Sequence, residues 1–563
     1  MKLVVQGQGE INLTQQDLLA QGGEGQVFVR NGIAYKVYLD HKKAIPLGKI
    51  QELSVLTHEP SPGSIIIKPD NILLDSKGHN VGYTMRYVKD TVALCKAFTR
   101  TYRKRNNISE QTILELVRKL QNIVSFCHKN NILIVDLNEL NYLITEDATK
   151  LYGIDVDSYQ TKSFPATAIM ENIRDRQVKN NKWTTGSDWF SFAIISFNLF
   201  VGIHPYKGKH PTIGSWEERM DRNVSIFDSN VSLPAVCYPL TVIPEAYLNW
   251  FKGVLKDGKR EAPPNDPFSV ANVAIVVKTV NGSNLFEIVE LDSFNSDIID
   301  IIWSPTKAVL TTNGAIINGK TYPAPLDSKI ICLPGRNTII AANIDNGLLK
   351  LKNLTNKTDV PTILSASEIM KYDNRLYIKS NNAIYELNLT DIGNNIIAGS
   401  SQVANVLPYG SKLFDGCVIQ NLLGSTYVSF FPDSGKHYQL NIKELDGQKI
   451  IDAKFERKVL MVITNKGGKY NKYIIRLASA YDGYDIKEYK DVNYSGINFT
   501  VLDNGICAHL NEDDKLVLFP AQRNNNQAKE VEDDVLDGDM RLFSCGVQTM
   551  FYKGNKAYSI KMR

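Results

Sequence analysis

Two neighbouring stretches decide the fold: ILIVDLNELNYLI at residues 132–144 and KLYGIDVDS at residues 150–158. In the first, Asp136 and Asn141 lie five positions apart between two apolar runs that have the pattern of β-strands. Asp155 follows Asn141 by fourteen residues, which is the length of a β-hairpin. A carboxylate in such a loop can accept a hydroxyl proton, while an amide oxygen and a second carboxylate suit Mg²⁺.

A glycine-rich segment and a lysine lie upstream. The segment AQGGEGQVF at residues 20–28 precedes a strand-like run that contains Lys36. Glycines in a turn between strands let backbone N–H groups approach phosphates, and a lysine on the next strand supplies positive charge. Taken alone, this pattern is not specific, since glycine-rich hairpins are common. Sixteen residues after Lys36, Glu52 on a predicted helix is a candidate to hold the ammonium group, and Glu59 is a second candidate.

The order of these elements resembles that of the protein-kinase fold. A glycine-rich loop, a strand lysine, an Asp-x₄-Asn loop and an Asp-x-Asp segment follow one another as the kinase motifs do. Downstream, SDWFSFA from Ser187 is similar to the kinase segment whose aspartate braces the catalytic loop from a buried helix. GKREAP from Gly258 is similar to the last kinase segment, with its structural arginine. The resemblance spans residues 17–264 and is strongest to atypical bacterial and phage kinases, through the GGEG, DLNELN and DVDSYQ segments.

The resemblance implies a role for each matching residue. Asp136 would be the catalytic base, Lys36 would contact the α- and β-phosphates of ATP, and Asn141 and Asp155 would hold Mg²⁺. Adenine would bind the backbone of a hinge at residues 85–88. The ATP-binding set would comprise Gly22, Gly23, Gly25, Val27, Lys36, Glu52 and Tyr87.

The chain also departs from the kinase pattern at several positions. Ala20 replaces the first glycine, Ile134 and Val135 replace His-Arg, Asn138 replaces a lysine, Asp157 replaces the glycine of Asp-Phe-Gly, and no Ala-Pro-Glu precedes Ser187. Without the arginine, activation by phosphorylation of a loop is not expected. Without the lysine, stabilisation of the γ-phosphate is weaker. Asp157 is interpreted either as an additional metal ligand or as the residue that caps the turn.

After a proline-rich break, EAPPNDP at residues 261–267, the chain changes character. Short β-rich runs alternate with Asn, Asp and Gly turns that accept positive φ. Such units recur every ~30–50 residues, about seven times, which is typical of β-propeller blades, with a pair of β-sandwiches or a β-solenoid as alternatives. The units begin near Asp297, Lys329, Glu368, Val403, Lys449, Gly496 and Met540.

Composition narrows the functional classes. The 563 residues include 64 Lys and Arg against 60 Asp and Glu, a net charge of +4 that gives no support to nucleic-acid binding. The seven cysteines are scattered without CxxC spacing, which favours buried, reduced thiols over disulfides or a zinc site. No apolar run is long enough to span a membrane or act as a signal peptide. The basic segment KAFTRTYRKR at residues 96–105 is interpreted as a solvated face, with nucleic acid or an acidic partner as the alternative.

The sequence therefore predicts a multidomain protein. An α+β, bilobal protein-kinase-like domain would occupy residues 1–264, with lobes at about 1–87 and 88–264, and a propeller of about seven blades would occupy 265–563. The expected function is ATP- and Mg²⁺-dependent phosphorylation of Ser or Thr in a protein that the propeller docks. The alternatives are a pseudokinase scaffold, a structural component of a larger assembly, or transfer of AMP. The expected location is the cytoplasm, or a virion if the chain is encoded by a phage.

Overall fold

The computed structural model describes residues 1–22, 24–167, 169–264, 285–304, 306–333, 338–392, 395–525 and 527–563. Gly23, one of the predicted nucleotide-binding residues, lies outside the described residues. So does the part of the predicted break that follows Pro264.

Eleven strands precede residue 264 in the described part of the chain. They are β1 Lys2–Val5, β2 Gly9–Asn12, β3 Leu18–Gln21, β4 Gly25–Arg30, β5 Ile33–Tyr38, β6 Ser64–Ile66, β7 Ile72–Leu74, β8 Asn80–Arg86, β9 Thr91–Ala93, β10 Tyr142–Thr145 and β11 Leu151–Gly153. Seven form one sheet in the order β2-β1-β7-β8-β5-β4-β3, and four form a second in the order β6-β11-β10-β9. Strands β10 and β11 pair antiparallel, with Tyr142 opposite Gly153, so the predicted hairpin between Asn141 and Asp155 is confirmed.

Six α-helices lie in the same region. They are α1 Leu47–Leu53, α2 Arg100–Arg105, α3 Glu110–Lys129, α4 Thr185–Val201, α5 Trp216–Asp221 and α6 Glu245–Leu255. Helix α3 begins where the Ser109 side chain accepts a hydrogen bond from the N–H of Thr112, and its apolar stripe is buried. Helix α4 is buried on every side and packs against α3, and it ends at Gly202, whose φ of 85° suits glycine.

The C-terminal region is built from strands throughout its described residues and contains no α-helix there. Its strands are β12 Phe286–Ser293, β13 Ile298–Ile302, β14 Ala308–Thr311, β15 Gly314–Ile317, β16 Lys320–Tyr322, β17 Lys329–Leu333, β18 Thr338–Asp345, β19 Leu348–Asn353, β20 Thr358–Val360, β21 Glu368–Tyr372, β22 Arg375–Ser380, β23 Ala383–Asp391, β24 Ile396–Asn405, β25 Ser411–Phe414, β26 Cys417–Leu422, β27 Ser425–Phe430, β28 Tyr438–Asn441, β29 Lys449–Glu456, β30 Val459–Lys466, β31 Lys469–Leu477, β32 Tyr484–Tyr489, β33 Phe499–Val501, β34 Ile506–Leu510, β35 Leu516–Pro520, β36 Lys529–Val531, β37 Arg541–Cys545, β38 Gln548–Lys553 and β39 Lys556–Met562. The expectation of a β-rich C-terminal region is confirmed.

These strands form seven four-stranded antiparallel sheets. Six take four consecutive strands, and the seventh joins β37, β38 and β39 to β12 from the start of the region. The first strands of neighbouring sheets contact one another, as β13 does with β17 and β17 with β21. The Tyr552 hydroxyl of β38 donates to the Ile299 carbonyl of β13 at 2.8 Å. The sheet that contains β12 and β37–β39 therefore also contacts the sheet formed by β13–β16. The unit expected near Val403 begins later, at Ser411, because β24 extends to Asn405 within the preceding sheet.

The two regions share one apolar core. Ile451, Ile463, Tyr470 and Tyr494 of the C-terminal region are buried in the same cluster as α3 and α4. All seven cysteines are free thiols, and only Cys545 is partly exposed, which agrees with the expectation from their spacing. Within the described ranges, no helix combines the length and apolarity needed to cross a membrane.

Candidate active site

Asp136 lies in the loop between α3 and β10 and is almost fully buried. Its Oδ2 accepts hydrogen bonds from Asn138 Nδ2 at 2.9 Å and from Asn141 Nδ2 at 3.2 Å. Its Oδ1 accepts a hydrogen bond from the backbone N–H of Met170 at 2.9 Å. Burial raises the pKa of Asp136, and the charge of Asp155 adds to this effect, while the three hydrogen bonds oppose it without cancelling it.

Asp188 of α4 holds this loop from the core. Its carboxylate accepts from the backbone N–H groups of Ile134 at 2.8 Å and Val135 at 2.9 Å, and it contacts His128 Nε2 at 2.9 Å. Val135, whose N–H is one of the two donors, takes a φ of 62°. A β-branched residue there costs about 1–3 kcal/mol, which the charge-assisted hydrogen bonds offset. The brace implied by the resemblance is therefore present.

Lys36 of β5 lies between two carboxylates. Its Nζ is 3.2 Å from Asp155 Oδ1, and 2.9 and 3.1 Å from the two oxygens of Asp157. Burial by itself lowers the pKa of Lys36, but Asp155 and Asp157 outweigh it, so the pKa lies above its ordinary value. The structure thus brings together the predicted phosphate-binding lysine and the predicted metal-binding aspartate.

Asp157 is the most heavily hydrogen-bonded carboxylate of the site. Besides Lys36, it accepts from the hydroxyls of Tyr83, at 2.7 Å, and Tyr38, while its backbone carbonyl accepts from Lys49 Nζ at 2.7 Å. Burial would raise the pKa of Asp157, but the Lys36 ammonium and the hydrogen bonds hold it below its ordinary value. Asp157 is therefore the buried partner of Lys36, and its interpretation as a turn cap is wrong.

Helix α1 presents a lysine to the site where the resemblance implied a glutamate. Lys49 is buried on this helix, and burial lowers its pKa to about 8. Glu52 lies one turn further along and accepts from the backbone N–H of Ser163 at 3.1 Å. The expected pair between Glu52 and Lys36 is therefore wrong, because Asp157 already holds that ammonium group. Glu59, the second candidate, accepts from a nearby backbone N–H instead.

The glycine-rich segment connects β3 to β4. The N–H of Gly22 donates to the carbonyl of Gly25 at 2.9 Å, which closes the turn, and Gly22 itself is exposed. A Cβ on Gly25 would lie 2.8 Å from the carbonyl oxygen of Val37, so only glycine allows β4 to approach β5 this closely. Val27 is half-buried and packs on the core beneath the segment. Gly23, which lies between Gly22 and Gly25 in the sequence, is outside the described residues.

The donor atoms present fit a magnesium ion. Mg²⁺ takes oxygen ligands, usually one or two carboxylates together with phosphates of the substrate. The Asp155 side chain is 44% exposed, which leaves its carboxylate accessible beside Lys36. The Nδ2 atom of Asn141 faces Asp136, so the amide oxygen of Asn141 is turned away from that carboxylate. Asn141 and Asp155 are the two residues that were predicted to hold the metal.

Asp175 is a structural residue that the sequence did not reveal. It forms a two-pronged ion pair with Arg260, in which Nε and Nη2 each donate to one carboxylate oxygen at 2.7 Å. The guanidinium also lies 4.3 Å from the centre of the Phe190 ring. Arg260 therefore has the structural role that the resemblance implied. The acidic partner was missed because it lies 85 positions before Arg260 along the chain and belongs to none of the motifs of the sequence.

The C-terminal region contacts the loop that contains Asp136. The Tyr470 hydroxyl donates to Glu139 Oε1 at 2.7 Å, and Lys449 Nζ donates to the Leu140 carbonyl at 3.3 Å. Burial raises the pKa of Glu139, and its Oε2 is buried without a hydrogen-bond partner among the described residues. Both Glu139 and Tyr470 line a cavity of about 40 Å³, which is large enough for ordered water.

The same region also contacts the predicted nucleotide-binding edge. Tyr87 of the predicted hinge packs edge-on against Tyr409, with ring centroids 6.0 Å apart. A Cβ on Gly424 would lie 3.0 Å from Nε2 of Gln21, beside the glycine-rich segment. The interpretation of residues 96–105 as a solvated face is wrong, because these residues also face the C-terminal region. Their ion pairs are Lys96–Asp452, Arg100–Asp539 and Lys104–Asp297.

Comparison with known proteins leaves the family open. No protein-family model matches the chain, and no curated protein matches it. Among solved structures, one that it resembles is the Cydia pomonella granulovirus kinase PK-1, with 14% sequence identity. The match covers 44% of this chain and 86% of that chain, with a TM-score of 0.31.

Proposed function

We propose that residues 1–264 form a bilobal protein-kinase-like domain that transfers the γ-phosphoryl group of ATP to Ser or Thr of a protein. We further propose that residues 265–563 form a seven-bladed β-propeller that docks the substrate or a partner. The closed succession of seven four-stranded sheets, with β12 completing the last one, supports the propeller.

One observation carries the proposal for the N-terminal region. Lys36 of β5, Asp136 and Asn141 of the loop before β10, and Asp155 after β11 converge at one place: Lys36 contacts Asp155, Asn141 contacts Asp136, and the charge of Asp155 acts on Asp136. Phosphoryl transfer needs a cation for the phosphates, oxygen ligands for Mg²⁺ and a base for the hydroxyl, and this group supplies all three.

In the proposed reaction, the hydroxyl oxygen of the substrate bonds to the γ-phosphorus and the bond to the bridging oxygen of ADP breaks. Asp136 accepts the hydroxyl proton, and its raised pKa suits it to this role. Bound Mg²⁺, held by Asn141 and Asp155, would neutralise charge on the phosphates. Asp157 contacts the ammonium through both oxygens, so it would keep Lys36 in position if Asp155 bound the metal.

The backbone N–H of Met170 occupies part of the base. It donates to Asp136 Oδ1, while the other carboxylate oxygen accepts from two asparagines. A carboxylate offers about four lone-pair positions, so one position on Oδ1 remains for a substrate hydroxyl. Met170 therefore limits the directions from which a hydroxyl can approach Asp136.

The same contact favours a second candidate function, a pseudokinase scaffold. Both oxygens of Asp136 are engaged within the chain, and Asn138 stands where the family has a lysine. Tyr409 and Gly424 further narrow the approach to the predicted nucleotide edge. In this alternative, both regions serve as interaction surfaces.

Purified protein incubated with γ-labelled ATP and Mg²⁺ tests the proposal, with Asp155→Asn as the inactive variant and Glu52→Gln as the matched control. We expect phosphate incorporation that Asp155→Asn abolishes and Glu52→Gln retains. Intact mass separates the gain of phosphate from the gain of AMP, which would keep the site but change the reaction. No transfer, together with no Mg²⁺-dependent thermal stabilisation by ATP, would favour the scaffold.

A further inference from the structure

A second cavity lies where helix α2 meets the C-terminal region. It has a volume of about 610 Å³, within the range of small-molecule sites, and both regions line it. Six of its lining residues are cationic: Arg100, Arg103, Lys104, Arg105, Arg541 and Lys553. Two are acidic, Asp297 and Asp539. The whole chain has a net charge of only +4, so positive charge is concentrated here.

Ion pairs neutralise three of the six cations. Arg100 pairs with Asp539, Lys104 pairs with Asp297 at 3.0 Å, and Lys553 pairs with Asp537.

The remaining three cations, Arg103, Arg105 and Arg541, have no carboxylate within 4 Å among the described residues. Arg103 and Arg541 donate to backbone carbonyls, which carry no full charge. Burial by itself lowers the pKa of Arg105, but carboxylates that do not contact it, Asp415 foremost, outweigh burial and raise that pKa. Three arginines that line one cavity thus have no contacting carboxylate among the described residues.

The arrangement has an energetic cost that an anion would remove. Burial lowers the pKa of Arg103 to about 10 and lowers that of Arg541, and the charge of Arg100 acts in the same direction on both. The Nε atom of Arg100 is buried with no hydrogen-bond partner in the described part of the chain. Buried donors without acceptors are uncommon in folded proteins and call for an acceptor that completes them.

We propose that this cavity binds a small anion with two or more phosphate groups. Guanidinium groups recognise phosphate through paired hydrogen bonds, and three arginines without a contacting carboxylate match the charge of a di- or triphosphate group. Such a ligand would contact both regions at once, so its binding would strengthen their association. The proposal is independent of the proposed phosphoryl transfer, because none of the cavity residues belongs to the candidate active site.

Isothermal titration of the full-length protein with inorganic tripolyphosphate tests this site. Arg105 is exposed to the cavity, so Arg105→Glu reverses its charge without disturbing the core. Arg118→Glu, on an exposed position of α3, is the charge-matched control. We expect tripolyphosphate binding that Arg105→Glu weakens at least tenfold, that Arg118→Glu changes less than twofold, and that added salt weakens. Arg105→Gln, which removes the charge without reversing it, should give an intermediate loss.

Two further arms identify the ligand and separate the sites. Asp155→Asn alters the candidate active site and should leave tripolyphosphate binding unchanged. Competition by ATP in that variant would assign the cavity to nucleotides, and its absence would assign it to phosphates without a nucleoside. Either result supports the site. Absence of tripolyphosphate binding at low salt, or equal affinity in the wild type and both Arg105 variants, would overturn it.

Discussion

At Lys36, two carboxylates share one ammonium group, and their surroundings differ. Asp157 is 6% exposed and receives two tyrosine hydroxyls, whereas the Asp155 side chain is 44% exposed. The buried carboxylate has no water to replace a lost partner, while the exposed one does. Asp157 is therefore the anchor of Lys36, and Asp155 is free to serve another ligand. Residue type and spacing did not reveal this division, since both positions are aspartates in one short segment.

The first prediction follows from this difference in burial. Asp157→Asn leaves the Lys36 ammonium without its buried counter-charge, so we expect the free energy of unfolding to fall by about 3 kcal/mol. Asp155→Asn should cost less than about 1 kcal/mol, because its carboxylate is accessible to water. Glu52→Gln should be neutral. Urea unfolding measures all three, and equal losses for the two aspartate variants would contradict the assignment.

The second prediction concerns pH and Asp514. Burial raises its pKa to about 6, and the charge of Asp537 contributes in the same direction. The folded chain then holds a proton up to about pH 6 that the unfolded chain releases near pH 4, so stability falls as pH rises across this window. Asp514→Asn removes the effect. We expect the variant to be about 1–2 kcal/mol more stable than the wild type at pH 7.5, with no difference below pH 4.

The neighbouring Asp513 provides a graded comparison, because it is exposed and its charge contributes only a minor part of the raised pKa of Asp514. Asp513→Asn should therefore lower the pKa of Asp514 only slightly and leave most of the pH profile of the wild type in place. Asparagine also tolerates the φ of 60° at Asp514, so Asp514→Asn introduces no backbone strain. If Asp514→Asn and wild type show parallel stability between pH 4 and 7.5, the raised pKa is contradicted.

Among the elements, the sequence predicted the buried face of a helix correctly where apolar residues recur at helical spacing. It did so wrongly where they do not. Helix α3 contains an apolar stripe at a spacing of three and four residues, so its existence and its buried face were predictable. Helix α1 has seven residues and buries Lys49 together with two apolar side chains. A buried lysine breaks the apolar pattern that identifies the buried face of a helix. For that reason Glu52, and not Lys49, was predicted to lie in the site.

The third prediction tests the brace that α4 supplies to the loop that contains Asp136. The Asp188 carboxylate accepts from two backbone N–H groups and contacts His128. In Asp188→Asn, the amide group has a single acceptor oxygen, and its NH₂ faces a donor. We expect a loss of about 2–4 kcal/mol in the free energy of unfolding and faster hydrogen exchange at the Val135 amide. Glu115→Gln, on the exposed face of α3, is the control and should change neither.

At the scale of the whole molecule, the β-rich region and its repeat were predictable, but its contact with the candidate site was not. Hairpin turns and alternating strands are local signals, so they can be read from a single sequence. The hydrogen bond between Tyr470 and Glu139 joins residues 331 positions apart, and neither residue belongs to a recognisable motif. The basic segment at residues 96–105 was likewise misread, because its acidic partners lie far along the chain.

The shared core leads to the last prediction, that the two regions unfold as one unit. Tyr470 and Tyr494 stack with their centroids 5.3 Å apart inside the cluster that contains α3 and α4. Tyr377, by contrast, is fully buried in a cluster made of C-terminal residues alone. Tyr377→Ala should cost about 3–5 kcal/mol there. If the two regions unfold as one unit, Tyr377→Ala must also lower the stability that is measured in the N-terminal region.

Tryptophan fluorescence makes that coupling measurable, because four of the five tryptophans lie before residue 264 and only Trp303 lies after it. We expect Tyr377→Ala to lower the urea midpoint by the same amount whether unfolding is followed by tryptophan fluorescence or by pulsed hydrogen exchange at backbone amides of the C-terminal strands. Tyr470→Phe should lower both midpoints by a smaller, equal amount, since Glu139 loses its donor while the ring stacking remains. A fluorescence midpoint that stays at the wild-type value while the hydrogen-exchange midpoint of the C-terminal strands falls would mean that the regions unfold independently.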